Sequence, residues 1–172
     1  MSSTISAASS SSCASASLTP HGPGFSFIDT VEMVSTTTAA DAKTAARATK
    51  FLDPALPFFA HHFPGQPLMP GVLMIEAAAQ TAGWLWSTAS AAPSSDASVP
   101  AAGAKKQVQP QLKALHLASV QGFRFLSPAV PGDTLLMEVT LDKELGTLAQ
   151  FSAVLSVGNR RVAEGRLTLS RP

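Results

Sequence analysis

The sequence predicts an α+β fold in which a curved antiparallel sheet encloses one long buried helix. Three observations point there. From Gly71 to about Ser87 nothing interrupts an apolar helical run except Gly83. After Pro110, strand-like stretches follow one another with turn signals between them. The chain has 172 residues, 45% hydrophobic and 13% charged, which is room for one well-buried core and little else.

Taken in order, Met1 to Gly24 is rich in Ser and Ala, carries no Lys, Arg, Asp or Glu, and lacks the apolar core of a signal peptide. It is expected to be a disordered tail, because it cannot bury enough to offset its ordering entropy. One domain is expected over residues 25–172. It starts with the apolar patch Phe25 to Val31, followed by a turn or loop over Thr36 to Asp41. Lys43 to Leu52 is the first expected strand, although its Ala-rich part would also suit a helix.

Pro54, Pro57, Pro64, Pro67 and Pro70, with Gly65 and Gly71, then exclude a regular element and fix a stiff, largely apolar loop. The helix follows, with Pro70 where a first-turn proline is tolerated. It is apolar on almost every face, so it is expected to be wrapped by the rest of the protein. Between about Thr88 and Pro110 the composition turns to Ala, Ser, Pro and Gly, a long flexible insertion. Strands are expected at Lys113 to Leu126, Thr134 to Leu141, Leu148 to Val157 and Arg161 to Leu169. Pro128 with Pro131-Gly132-Asp133, then Leu145-Gly146-Thr147, then Gly158-Asn159 separate them.

A formal charge of +1 gives no global field that would favour nucleic acid or an anionic membrane. The apolar stretch Val72 to Trp86 is interrupted by Glu76 and Gln80 and is shorter than the roughly 20 residues a spanning helix needs. With Cys13 the only cysteine, neither a disulfide framework nor a cysteine metal cluster fits within one chain, and a cytoplasmic location is expected. Adjacent histidines rarely converge on one ion, so a metal site from His61, His62 and His116 is set aside. There is also no nucleophile elbow and no Gly-rich phosphate loop. No cofactor is expected.

The residues with chemical potential are few. Glu76 places a carboxyl in the middle of an apolar helix, which is costly unless it is paired or protonated. Gln80, at i+4, shares its face and could hold that carboxyl. His62 lies on the rigid loop leading into the helix, and a His with a Glu can divide the roles of base and acid. The helix start at Gly71 offers unpaired N–H groups for a developing oxyanion. Two readings of the pair remain open on residues alone: an acid/base site, or a buried His and Glu each satisfied by a local partner. His21 and His116 read as structural or solvated.

The run Phe58-Phe59-Ala60-His61-His62-Phe63-Pro64-Gly65-Gln66-Pro67-Leu68-Met69-Pro70-Gly71-Val72-Leu73-Met74-Ile75-Glu76-Ala77-Ala78-Ala79-Gln80 closely resembles the signature of bacterial β-hydroxyacyl-acyl-carrier-protein dehydratases of the FabZ type. The resemblance extends to Phe25-Ser26-Phe27-Ile28-Asp29, to Gly122-Phe123-Arg124-Phe125 and to Val130-Pro131-Gly132-Asp133-Thr134-Leu135. It implies a hot-dog fold and an obligate homodimer whose catalytic His and Glu come from opposite protomers. By the same resemblance His62 would take the α-proton of a (3R)-hydroxyacyl thioester on acyl carrier protein, and Glu76 would protonate the leaving hydroxyl. Gly71 would polarise the thioester carbonyl, Gln80 would orient Glu76, and Phe63 and Val72 would line the acyl tunnel. Since the chain has no Tyr, an aromatic gate would fall to Phe58 or Phe59. Glu76, where the related dehydratase/isomerase branch carries Asp, implies dehydration without isomerisation.

His61 stands where the family usually has Gly, Ala78 where Met is common and Gln66 where a basic residue is frequent. His61 could narrow the site or face solvent. Lys105, Lys106, Lys113 and Arg124 read either as a solvated scatter or as a local patch for an acidic carrier. The alternatives to a dehydratase are a hot-dog thioesterase and a non-catalytic acyl-binding partner.

Overall fold

The computed structural model describes residues 18–36, 43–91 and 114–172. Strands β1 (Thr30–Thr36), β2 (Lys43–Phe51), β3 (His116–Phe125), β4 (Thr134–Leu145), β5 (Leu148–Val157) and β6 (Arg160–Ser170) surround one helix, α1 (Gly71–Ala91). The strands form a single sheet in the order β1-β2-β4-β5-β6-β3, with antiparallel pairing throughout. This is the expected α+β arrangement, with the sheet curved over the helix.

Side-chain alternation builds the concave face. Ala149, Phe151, Ala153 and Leu155 of β5 point inward and are at most 1% exposed, and Leu135, Met137 and Val139 of β4 are fully buried beside them. Small residues then let the helix approach. Ala77, Ala78 and Ala82 on α1 and Ala46 and Ala48 on β2 belong to one buried cluster, all with no exposed surface. The two tight hairpins have Gly146 and Gly158 at their first central positions with φ +59° and +54°, while no non-glycine residue has positive φ. That is the pattern of type II′ turns, whose twist matches that of the flanking strands.

Ala-rich β2 is a strand because its backbone finds partners on both sides, in β1 and in β4. Pairing in this case outweighs the helix propensity of alanine. Strand β1 was not expected. Only part of its surface reaches the core, through Val31, while Glu32 and Met33 are exposed, so its alternation carries little signal. The expected turn at Thr36 to Asp41 falls almost wholly on residues 37–42, outside the described residues. The helix continues past Ser87 to Ala91, which moves the start of the expected insertion; residues 92–113 lie outside the described residues.

Two expectations need correction. Leu18 to Gly24 does not belong with the tail: Thr19 is 2% exposed and Leu18 packs on the core, so this stretch has apolar contacts to offset its ordering. Residues 1–17 lie outside the described residues. The helix is also not wrapped on every side. Val72 is 70% exposed, and Phe63, Phe125 and Leu126 are exposed too. Among the described strands β3 pairs only with β6, and its Leu117 and Val120 are partly exposed, at 42% and 40%. No described helix is long and apolar enough to cross a membrane.

At the far end of α1, fully buried Trp86 meets Phe151 edge-on at 6.3 Å, and the Arg171 guanidinium lies 4.1 Å from the indole centroid. Trp86→Ala therefore removes both a core aromatic and the platform for the last strand's extension. The expected loss is about 3–5 kcal/mol of stability, read from chemical denaturation; a loss below about 1 kcal/mol would show that the site collapses around the missing ring.

Candidate active site

The proline-rich loop is held at both ends by backbone hydrogen bonds. Leu52 N–H donates to Asp133 O and Gly132 N–H to Leu52 O, while Met69 N–H donates to Ala129 O. Within this frame Leu68 N–H donates to His62 O, and Phe63 and Gln66 exchange backbone bonds around Gly65, whose φ is +81°. Only glycine takes that left-handed conformation without strain.

His62 is half-buried and stacks on Phe63 with ring centroids 4.1 Å apart. Its Nδ1 lies 3.1 Å from Leu68 O. A carbonyl oxygen can only accept, so Nδ1 carries the hydrogen and Nε2 of the neutral ring keeps its lone pair. The loop thereby sets the tautomer a general base needs. His61 beside it is exposed.

Gly71 opens α1. Its N–H lies in the first turn, where no intrahelical acceptor exists. A Cβ built there would lie 2.7–3.0 Å from the Phe125 ring, so glycine is what lets that ring lie against the helix start. The same region forms an open apolar hollow between Leu68, Val72 and Met74 on one side and Phe125 and Leu126 on the other.

One and a half turns further on, Glu76 accepts a hydrogen bond from Gln80 Nε2 at 2.9 Å. Gln80 is itself 4% exposed, and its orientation is not free. Its Oε1 accepts from Phe27 N–H at 2.8 Å and its Nε2 also donates to Phe25 O at 2.9 Å. Both amide hydrogens are thus committed, one of them to the carboxylate. The expectation that Gln80 and Glu76 share a face is met, and the backbone of residues 25–27 is the clamp.

Glu76 and Gln80 stand at the head of a cleft that runs along α1 past Ala79, Gly83 and Ser87 and is walled by Leu115, Leu117 and Leu169. Its cavity volume is about 90 Å³, a narrow cleft smaller than a pocket that encloses a whole small molecule. The absence of a side chain at Gly83 deepens it, since a Cβ there would touch Leu115 and Leu169 at 3.6 and 3.9 Å.

His62 and Glu76 are not brought together. Their recorded partners are different groups: Leu68 O for the imidazole, Gln80 and His21 for the carboxylate. Of the side chains expected along an acyl tunnel, Phe63 and Val72 lie exposed on the surface and Phe59 is packed in the core against Phe58; none of the four lines the cleft beside Glu76. Among the described residues no three His, Cys, Asp or Glu side chains converge as a metal site would require.

His21 is the site residue that sequence reasoning passed over. Its Nε2 stands 3.6 Å from Glu76 Oε1, and its ring meets Phe25 at 5.6 Å. The signal was available in its distance of a few residues from the Phe25-to-Asp29 motif, but assigning it to a disordered tail hid it.

Comparison with known proteins bears on the fold and the family. A 3-hydroxyacyl-[acyl-carrier-protein] dehydratase FabZ from Verminephrobacter eiseniae (strain EF01-2) is 32% identical over 148 residues, 86% of this chain and 85% of the relative. Among solved structures, the dehydratase heterocomplex ApeI:P from Xenorhabdus doucetiae superposes with a TM-score of 0.63 at 17% identity, over 90% of this chain and 88% of that one. A hot-dog-like protein from Thermanaerovibrio acidaminovorans gives a TM-score of 0.52 at 17% identity, over 74% and 80%. These likenesses establish the hot-dog fold. The family model of the FabA-like domain matches residues 19–166, nearly the whole described chain, and the protein belongs to that family.

Proposed function

We propose that the protein dehydrates (3R)-hydroxyacyl thioesters carried on acyl carrier protein, as a homodimer in which His62 of one protomer serves with Glu76 of the other. The observation that carries the reading is the Gln80-clamped carboxyl of Glu76 at the head of an apolar cleft.

The chemistry follows from the groups present. His62 Nε2, left free by the bond from Nδ1 to Leu68 O, takes the proton from the α-carbon. The negative charge that develops on the thioester oxygen is met by the Gly71 N–H at the positive end of α1. Glu76, protonated, gives its proton to the 3-hydroxyl. The C–O bond breaks, water leaves, and the α–β bond becomes double. Gln80 keeps the carboxyl pointed at the cleft. The acyl chain extends along Ala79 and Gly83, and Phe63 and Val72 close the tunnel from the partner's side.

Dimerisation is supported by what one chain leaves uncovered. Phe63, Val72, Phe125 and Leu126 are each more than half exposed, and the free edge of β3 offers unpaired backbone groups. A two-fold pairing would cover this surface on both copies at once. It would also bring toward Glu76 the His62 imidazole that its own chain keeps away from it.

Two experiments test the proposal. Enoyl absorbance followed on 3-hydroxyacyl carrier thioesters should show turnover in the wild type, reduced by about 10²–10⁴-fold in His62→Ala and in Glu76→Gln. Release of free thiol without enoyl product would instead indicate a thioesterase. Co-expressed His62→Ala and Glu76→Gln chains should recover roughly a quarter of wild-type activity, because half the dimers are mixed and each mixed dimer has one intact site of two. No recovery would mean that both groups act from the same chain.

A further inference from the structure

Glu76 is the only ionisable side chain on α1, and the cleft it heads has one other titratable lining residue, His21. The two face each other at 3.6 Å, Nε2 to Oε1. His21 is 38% exposed and Glu76 23% exposed, so both reach solvent and the imidazole is the more open of the two. The clamp that fixes Gln80 also fixes His21: Phe25, whose carbonyl accepts from Gln80, donates its N–H to Gly22 O and meets the His21 ring with its own. Buried Thr19 and Leu18 anchor the chain on the other side. Gln80 and His21 thus converge on the same carboxyl oxygen, one as a fixed donor and one as a titratable group.

This arrangement addresses a step that the dehydration itself leaves open. After one turnover by the proposed route, His62 holds the proton from the α-carbon, while Glu76 is a bare carboxylate because its proton departed in water. The enzyme has the right number of protons in the wrong places. Among the described residues, His21 is the one other titratable side chain that lines the cleft beside Glu76.

We propose that His21 reloads Glu76 with a proton after each turnover, acting as a relay between the catalytic carboxyl and solvent. In the protonated form His21 gives its Nε2 proton to Glu76 and takes another from solvent, while His62 releases its proton to solvent. No carbon bond changes, and charge balances over the cycle. A gap of 3.6 Å is closed by a small ring movement or by one bridging water. His21 acts on the reaction through Glu76, so it is a positioning residue.

The proposal rests on the dehydratase reading, and the test separates the two. Single-turnover formation of enoyl product, with enzyme in excess, reports the chemistry; steady-state kcat reports the reset as well. His21→Gln removes the proton carrier, and His21→Phe removes it while keeping a ring against Phe25. Both should lower steady-state kcat about ten- to a hundredfold in dilute buffer, a much larger loss than that of the single-turnover rate. Added imidazole should restore kcat in both. The relay is overturned if kcat is unchanged, if His21→Phe alone retains full kcat, if imidazole restores nothing, or if the single-turnover rate falls in parallel. A wild type with no single turnover overturns the dehydratase reading and the relay with it.

Discussion

The buried amide of Gln80 is the interaction on which the rest of the site depends. An amide with three hydrogen bonds and almost no exposed surface cannot turn without leaving groups unpaired, at a cost of about 1–3 kcal/mol each. It therefore does three things together. It ties the backbone of Phe25 and Phe27 to the middle of α1, it directs one N–H at Glu76, and it brings the strand-less stretch before β1 within reach of that carboxyl. A single side chain joins the start of the chain to the helix and the helix to the chemistry.

That amide can be buried only because the surrounding packing is close. Ala77, Ala78 and Ala82 on α1 against Ala46 and Ala48 on β2 bring backbones together where larger side chains would hold them apart. The bulk needed to fill the core is displaced to the far end, where Trp86, Leu85 and Phe151 meet. The result is a helix that is tightly packed on its sheet side and open along the Glu76–Gly83 face. Both cleft and core come from the distribution of small and large residues on one helix.

The candidate site groups divide into two sets that one chain keeps apart. The loop supplies an imidazole whose tautomer is set by Leu68 O, and the helix start supplies free N–H groups beside Phe125. The helix middle supplies the carboxyl, its clamp and the cleft. Exposed Phe63 and Val72 lie with the first set, and the apolar walls Leu115 and Leu117 with the second. The proposed pairing of chains would cover this apolar surface at the edge of a well-packed molecule.

Much of this was legible in the residues themselves. The helix, the four C-terminal strands and both hairpins follow from periodicity and from glycine at positions that demand positive φ, because these are local consequences of backbone sterics. The pairing of Glu76 with Gln80 follows from the rise of a helix, and Gly71, His62 and Glu76 were named from their places on it and on the loop. Lys43 to Leu52 was expected as a strand although its alanines also suit a helix, and partners on both sides hold it as one; the existence of β1 did not follow, since it depends on a partner supplied from elsewhere in the chain. His21 was read as tail for the same reason: its meaning lies in a carboxyl more than fifty residues away. Local geometry is determined by the sequence within a turn or two. Which of two Glu76 neighbours stands beside it, His21 or His62, was decided only by the tertiary structure, because a contact distant along the chain depends on how the whole sheet folds over the helix.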